Sequence, residues 1–140
     1  MLAGLALAGE DPSQPYIARS LARLHARQNA DGGWEKPIIV TSIRGSRVAG
    51  TNGGESTSNC KAWALLAQMA FGDCESESVR RGIAYLLSVQ QADGFWWHRS
   101  HNAPGFPRIY YLKYHGYTAY FPLWALARYR RLAGGLSLKE

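Results

Sequence analysis

Aromatic side chains are concentrated in one stretch near the end of the chain. Seven rings fall within 16 positions, at Phe106, Tyr110, Tyr111, Tyr114, Tyr117, Tyr120 and Phe121. A cluster of this density favours either a tightly packed corner of the core or the wall of an apolar pocket. The two alternatives differ in chemistry, because only a pocket wall presents ring faces to a bound molecule.

The acidic and histidine side chains form no recognisable metal site. The aspartates Asp11, Asp31, Asp73 and Asp93 are isolated from one another along the chain. His98 and His101 are close enough to share a metal ion, but the sequence supplies no third ligand beside them. We therefore expect these histidines to be surface residues and the chain to bind no metal.

The elements that must position the rings are indicated by an internal repeat. Leu24, Gln28, Ala30, Asp31, Gly32 and Trp34 reappear as Leu86, Gln90, Ala92, Asp93, Gly94 and Trp96, each displaced by 62 residues. The helical positions before them repeat as well, since Ile17, Arg19 and Leu21 match Val79, Arg81 and Ile83. A period of this length predicts helix pairs stacked as repeats.

Each repeat ends in the same short unit, which we call a staple: residues 28–34 form the first staple and residues 90–96 the second. A Gln follows an amphipathic helix, and a tight Asp-Gly turn then leads to a Trp. The Gln amide can reach unsatisfied backbone groups at the start of a neighbouring helix, and the Trp supplies a large ring to bury. We predict that the staple residues hold helix layers together without touching a substrate; they are Gln28, Gly32, Trp34, Gln90, Gly94 and Trp96.

Length and composition indicate a single partial domain over residues 1–140, with repeat units at about 13–71 and 76–132. Hydrophobic residues make up 46% of the chain, but two repeats leave large apolar faces uncovered. No apolar run reaches the roughly 18 residues that a membrane-spanning helix needs. Cys60 and Cys74 are too few for a disulfide framework, which favours a reducing cytoplasmic compartment and leaves contact with a membrane face open.

The net charge of +6 is compatible with more than one kind of binding partner. Basic and aromatic residues alternate at 96–99 and 110–115, a mixture that can stack bases and hold phosphates. The other arginines are spread over several helices and are more simply solvated faces. We therefore expect no nucleic acid as a partner, and a mild attraction to anionic lipid headgroups is the more natural consequence of the charge.

Periodicity and capping signals predict an all-α fold. One helix opens at Asp11 and Pro12 and runs to about Gln28; later helices run at about 57–71, 76–91 and 118–132, with Pro122 in or near the first turn of the last. The run 38–40 is apolar and suits a short strand. Long loops at about 32–56 and 93–116 separate these elements, and loops of such length are often functional.

Several motifs together resemble the carboxyl-terminal part of a bacterial squalene–hopene cyclase. They are the Gln-x-x-x-Gly-x-Trp repeats, Ala62-Trp63-Ala64-Leu65-Leu66, the aromatic stretch 105–117 and Phe121-Pro122-Leu123-Trp124-Ala125-Leu126. The similarity covers nearly the whole chain and is weakest at about 36–52. The repeats alone also suit other triterpene cyclases, so the aromatic stretch favours the hopene branch. The resemblance implies part of an α/α toroid.

The resemblance also implies an activity, because members of this family cyclise squalene to pentacyclic hopanoids after protonating a terminal double bond. No cofactor is implied. The carbocation intermediates need ring faces, which stabilise a cation without offering a strong nucleophile. The positions that match the family's cavity lining are Phe106, Tyr110, Leu112, Tyr114 and Tyr117, with Tyr110 standing where Phe is usual.

Two departures from the family pattern limit what this chain is expected to do. The family's acidic Asp-x-Asp-Asp motif does not occur in it, so we expect no catalytic residue and no activity of the isolated chain. Asn59-Cys60-Lys61 also stands where a Ser-Gln-Thr-like sequence is usual. The expected partners are squalene or a similar polyprenyl lipid and a missing upstream cyclase segment or partner chain. The alternative is a non-catalytic truncated toroid that binds a lipid or a partner chain.

Overall fold

A computed structural model of the protein describes residues 2–34, 40–41, 47–48, 57–97, 103–104, 111–112 and 114–134. Within these ranges the helices are α1 (Leu2–Leu7), α2 (Pro15–Ala26), α3 (Ser58–Ala70), α4 (Glu77–Ser88) and α5 (Tyr117–Ala133). Two-residue antiparallel pairs join β1 (Val40–Thr41) to β2 (Arg47–Val48) and β3 (Ala103–Pro104) to β4 (Tyr111–Leu112). The described part of the chain is therefore predominantly helical, as predicted.

Helix α2 begins later than predicted. The carboxylate of Asp11 accepts a hydrogen bond from the Ser13 backbone N–H at 2.8 Å, which forms a turn ahead of the helix. Pro15 then occupies the first helical turn, where its missing N–H costs nothing. The predicted start at Asp11 and Pro12 is wrong, because the aspartate closes a local turn instead of capping the helix.

Helices α3 and α4 start close to their predicted positions. The Ser76 hydroxyl caps α4 by accepting a hydrogen bond from the Val79 N–H at 3.3 Å. Thr57 occupies the equivalent position before α3 without a side-chain capping bond. Helix α4 ends at Ser88, before the predicted end near Gln91, because residues from 90 onward belong to the second staple turn.

Helix α3 forms the centre of the described core. It packs against α5, α4 and α1, and it is the helix with the largest buried face. The main hydrophobic cluster contains Trp34, Ala62, Leu65, Leu66, Met69, Val79, Ile83, Leu86, Trp96 and Ala125. Both staple tryptophans therefore contribute to one core. Among the described residues, no helix is long and apolar enough to cross a membrane.

Helix α5 carries Pro122 inside the helix, five positions after its first residue Tyr117 and so near the first turn, as predicted. Proline lacks the N–H that would bond to the carbonyl of Thr118 four residues earlier. Both residues are buried, and the Thr118 hydroxyl donates to the His115 carbonyl at 2.8 Å. Just before the helix, the hydroxyl of Tyr120 lies over Gly116, where a side chain would find no room.

Candidate functional site

The tryptophan of each staple closes the end of the helix that precedes it. The indole Nε1–H of Trp34 donates to the Leu24 carbonyl at 2.7 Å, and that of Trp96 donates to the Leu86 carbonyl at 2.7 Å. In each case the acceptor carbonyl lies in the last turn of the helix, where carbonyls lack the regular backbone N–H partner four residues later. Trp34 is 4% exposed and Trp96 is 3% exposed, so both rings are buried as predicted.

The glutamines close the staple turns themselves. The amide of Gln28 donates to the Gly32 carbonyl at 2.9 Å, and Gln90 donates to the Gly94 carbonyl at 3.0 Å. Gly32 and Gly94 have φ values of +82° and +83°, a left-handed conformation that favours glycine. Gln28 also donates to the Ser78 carbonyl in the first turn of α4 at 2.7 Å. Gln28 therefore contacts the start of a neighbouring helix, as predicted. The backbone group that it binds there is a carbonyl.

Helix α4 docks on the first staple by backbone and guanidinium contacts. The Nη2 group of Arg81 donates to the carbonyls of Asn29 and Ala30, each at 2.8 Å. A Cβ atom placed on Gly32 would lie 2.6 Å from the Arg81 carbonyl oxygen. This close approach requires a glycine at position 32 in addition to its positive φ.

Lys61 lies inside this interface, fully buried in α3. Its Nζ is 3.7 Å from the Oδ2 of Asp31 in the first staple and lies over the ring of Tyr85 in α4. Burial lowers the pKa of Lys61 from 10.5 to about 7, against the opposing effect of the Asp31 carboxylate. In the sequence, Lys61 stands out only as part of a departure from the family pattern. Its spacing of four from Leu65 was a signal that it shares the buried face.

An aromatic cluster occupies the contact between α3 and α5. The rings of Trp63, Tyr117 and Phe121 meet edge to face, with centroids 5.8 Å apart for Trp63–Tyr117, 5.4 Å for Trp63–Phe121 and 5.1 Å for Tyr117–Phe121. Tyr114 stacks on Tyr117 with centroids 4.8 Å apart and planes 20° apart. Tyr114 is 43% exposed, whereas Tyr117 is half-buried. The cluster therefore has a packed base, and Tyr114 is its most exposed ring.

The structure brings together two of the five residues predicted to line a cavity, Tyr114 and Tyr117. Leu112 is described only through its backbone, which pairs with Ala103. Phe106 and Tyr110 lie outside the described residues, as do His98 and His101. The predicted set missed Trp63 and Phe121, although Phe121 is four positions after Tyr117 on the same helical face.

The outer face of α5 is apolar and exposed. Tyr120 is 58% exposed, Leu123 is 61% exposed and Trp124 is 50% exposed. They are spaced at i, i+3 and i+4, so they share one face of the helix. Arg130 and Arg131 follow in the last turn of α5.

Comparisons with known proteins agree with this arrangement of repeats and rings. Residues 1–131 match the model of the squalene–hopene cyclase C-terminal domain. A squalene–hopene cyclase of Bradyrhizobium diazoefficiens is 42% identical over 132 residues, which is 94% of this chain and 20% of that protein. One of Zymomonas mobilis is 45% identical over 116 residues, which is 83% of this chain and 17% of that protein.

The similarity extends to a relative named for another product. A dammaradiene synthase of Dryopteris crassirhizoma is 41% identical over 104 residues, covering 71% of this chain and 15% of that protein. The chain thus spans about a fifth or less of the length of these relatives. Since the family match covers nearly the whole chain, this protein belongs to the squalene–hopene cyclase C-terminal domain family and shares its α/α toroid fold class.

Proposed function

We propose that this chain forms part of a triterpene cyclase that folds squalene and cyclises it to hopanoid products through carbocations. Its contribution is a section of aromatic cavity wall. The observation that carries this proposal is the cluster of four packed rings formed by Tyr114, Tyr117, Trp63 and Phe121. The matches to squalene–hopene cyclases support the choice of substrate.

The role of the rings follows from the chemistry of the intermediates. A carbocation is quenched by water and by strong nucleophiles, whereas an aromatic face attracts it by about 0.5 to 2 kcal/mol without forming a bond. The edge-to-face contacts of Tyr117 with Trp63 and Phe121 restrict its ring. A restricted ring can hold the folded polyene in one shape while charge moves along it. Phe106, Tyr110 and Leu112 are proposed to line the same cavity.

The proton that starts the reaction comes from elsewhere in this proposal. The chain has no Asp-x-Asp-Asp motif, so a further cyclase segment or partner chain must supply the acid. We take residues 1–140 to be one partial domain of the complete toroid. The alternative, a non-catalytic module, is not favoured by a separate observation.

A peripheral contact with the inner face of the membrane is part of the same proposal, with the chain placed in the cytoplasm. It would bring the enzyme close to a substrate that dissolves in lipid. The exposed Tyr120, Leu123 and Trp124, followed by Arg130 and Arg131, support α5 as the contact, because rings suit the membrane interface and arginines attract anionic headgroups. Co-sedimentation with anionic but not zwitterionic vesicles tests it, and equal binding to both would contradict the role of the arginines.

A chimera tests the proposed function. This chain replaces the matching region of the Bradyrhizobium cyclase, and products from squalene are identified by gas chromatography and mass spectrometry. We expect cyclised triterpenes from the chimera and partly cyclised products from its Tyr114→Ala and Tyr117→Ala variants. Loss of about 0.5 to 2 kcal/mol at a branch point redirects products by roughly 2- to 30-fold.

The matched control is Leu123→Ala, which removes an exposed apolar side chain from the outer face of α5. It should leave the product distribution unchanged. Identical products from all four proteins, at equal folded levels, would show that Tyr114 and Tyr117 are core residues and not cavity wall.

A further inference from the structure

Lys61 is a buried side chain with no part in the proposed cavity wall. Within the described residues its Nζ makes no hydrogen bond, although the side chain is fully buried. An amine in this position is accommodated while it is neutral, whereas an ammonium group needs water or acceptors around it. The contact between α3, the first staple and α4 therefore encloses a group whose positive charge it does not satisfy.

The titratable and charged groups around Lys61 come from all three elements. The Oδ2 of Asp31 in the first staple is 3.7 Å from the Nζ. Helix α4 contributes the ring of Tyr85, which lies against the amine, and the cation of Arg81, which donates to two carbonyls of the staple turn. Cys60 adjoins Lys61 on α3. Protonation of Lys61 thus adds a second positive charge to a turn that Arg81 already binds.

Asp31 marks the route by which the amine can reach water. The Asp31 side chain is 46% exposed, whereas that of Lys61 is 0% exposed. The Oδ1 of Asp31 accepts a hydrogen bond from the Gly33 N–H at 2.7 Å, so this carboxylate is tied to the staple turn. Because the Nζ lies between Asp31 on the staple and Tyr85 on α4, its path to solvent separates these two elements.

The bonds that this movement would break join α4 to the first staple. The Gln28 amide donates to the Ser78 carbonyl at 2.7 Å. The Arg81 guanidinium donates to the carbonyls of Asn29 and Ala30, each at 2.8 Å. All three bonds connect the first two turns of α4 to the same short turn, so they are lost together when α4 moves away from it.

We infer that Lys61 acts as a proton-dependent switch, in which protonation of its amine opens the contact between the first staple and α4 and deprotonation closes it. In the closed state the amine is neutral and buried. In the open state it is charged, hydrated and paired with Asp31 at the surface. The inference concerns the folded chain itself and does not depend on the proposed function.

The switch belongs to the first repeat. Helices α3 and α5 correspond at a displacement of 61 residues, which pairs buried positions with buried positions: Thr57 with Thr118, Lys61 with Pro122 and Ala64 with Ala125. The position of the amine is therefore taken by a proline in the second repeat. Since proline has no titratable side chain, α5 offers an internal reference for the effect of pH.

The sign of the pH effect follows from the two states. Burial lowers the pKa of Lys61 to about 7 in the closed state, and hydration restores the usual value of 10.5 in the open state. The open state binds the additional proton between these values, so the ratio of open to closed molecules rises by about 50-fold from pH 9 to pH 7. Below about pH 7 both states are protonated and the ratio levels off.

Thiol labelling at position 78 measures this opening. The Ser78 Oγ is buried and bonds to no other described group, so Ser78→Cys places a thiol at the contact without removing a hydrogen bond. The full chain is used with Cys60 and Cys74 replaced by alanine and iodoacetamide as the probe. An unfolded peptide with the same cysteine corrects for the effect of pH on the thiol. The corrected labelling rate should rise by about 50-fold from pH 9 to pH 7.

Two controls make the result specific to Lys61. Thr118→Cys places the thiol at a 1% exposed position of α5, and its corrected rate should not change with pH. Lys61→Met in the Ser78→Cys protein should abolish the pH dependence. A constant rate at position 78 would overturn the inference, as would a rise that survives Lys61→Met. An equal rise at positions 78 and 118 would also overturn it, because the whole chain would then be unfolding.

Discussion

Lys61 is a basic side chain held in an apolar setting between three elements. It extends from α3 towards Asp31 of the first staple and Tyr85 of α4. The distance of 3.7 Å to the Asp31 carboxylate is longer than a hydrogen bond, and Asp31 is itself partly exposed to water. The amine therefore loses most of its hydration and gains the ring face of Tyr85 but no hydrogen-bond partner. Its charged form must be destabilising in the folded state.

Replacing Lys61 with Met should stabilise the chain at neutral and acidic pH. The folded pKa is about 7 and the unfolded one 10.5, so the unfolded state binds more protons between these values and the stability of the wild type rises with pH across that window. Below about pH 7 both states are protonated and the full cost is present. We expect Lys61→Met to raise the melting temperature by several degrees at pH 6. The variant should also lose most of the increase in stability with pH that the wild type shows above pH 7.

Thermal melts between pH 6 and 10 check this expectation. Arg80→Met provides the control, because Arg80 is an exposed cation on α4. It should change the melting temperature little and leave the pH dependence intact. A Lys61→Met protein whose melting temperature keeps the wild-type pH dependence would show that another group causes it.

Trp96 and Trp97 offer a test of the staple at the level of single residues. Trp96 is 3% exposed and its indole bonds to the Leu86 carbonyl, whereas Trp97 is 44% exposed. Trp96→Ala should lower the free energy of unfolding by about 3 to 5 kcal/mol, the cost of removing a buried ring. Trp97→Ala should cost less than about 1 kcal/mol. Urea unfolding followed by circular dichroism measures both, and equal losses would refute the structural role of the staple.

The sequence repeat determines where helices α2 and α4 begin and end. They span Pro15–Ala26 and Glu77–Ser88, so both of their ends are displaced by the same 62 residues that separate the staples. The turns that follow them share hydrogen bonds and glycine conformation. What differs is the environment: α4 packs on Gly32 of the first turn, whereas among the described residues nothing lies within 4 Å of a Cβ placed on Gly94.

Substituting alanine for Gly32 and for Gly94 should separate two costs, that of the left-handed backbone conformation and that of displacing α4. Gly94→Ala should cost about 1 to 2 kcal/mol, the penalty of a left-handed φ for a residue with a Cβ. Gly32→Ala pays the same penalty and in addition forces α4 away, which adds about 1 to 3 kcal/mol. Denaturant melts of both variants give the difference, and equal losses would mean that α4 does not press on the first staple.

The repeat made most helices predictable, because its periodicity is a local property of the sequence. The β1–β2 pair was not, since two-residue strands carry too little pattern: the structure places a strand at Val40–Thr41, whereas the prediction covered 38–40, of which 38 and 39 lie outside the described residues. The adjacency of Tyr114 and Tyr117 follows from their spacing. The contact with Trp63 depends on how α3 packs against α5, which no local pattern encodes. The burial of Lys61 was indicated only by its spacing of four from Leu65.

At the scale of the whole molecule, the chain covers about a fifth of the length of related cyclases and contains no Asp-x-Asp-Asp motif. We therefore predict that the isolated chain produces no cyclised hydrocarbon from squalene. The assay incubates purified chain with squalene in detergent and analyses the extract against a no-protein blank and the active Bradyrhizobium enzyme. Polycyclic product above the blank would show that an acid within these 140 residues can start the reaction.

The paired indole bonds of Trp34 and Trp96 also give the two repeats separate reporters. Each indole proton is buried and bonded to a carbonyl of the helix that precedes the tryptophan. Its exchange with deuterium therefore requires the repeat that contains this helix to open. In a repeat architecture the two opening free energies need not be equal, since each depends on the neighbours of that repeat. Because α4 packs on the first staple, the Trp96 proton should exchange faster than the Trp34 proton.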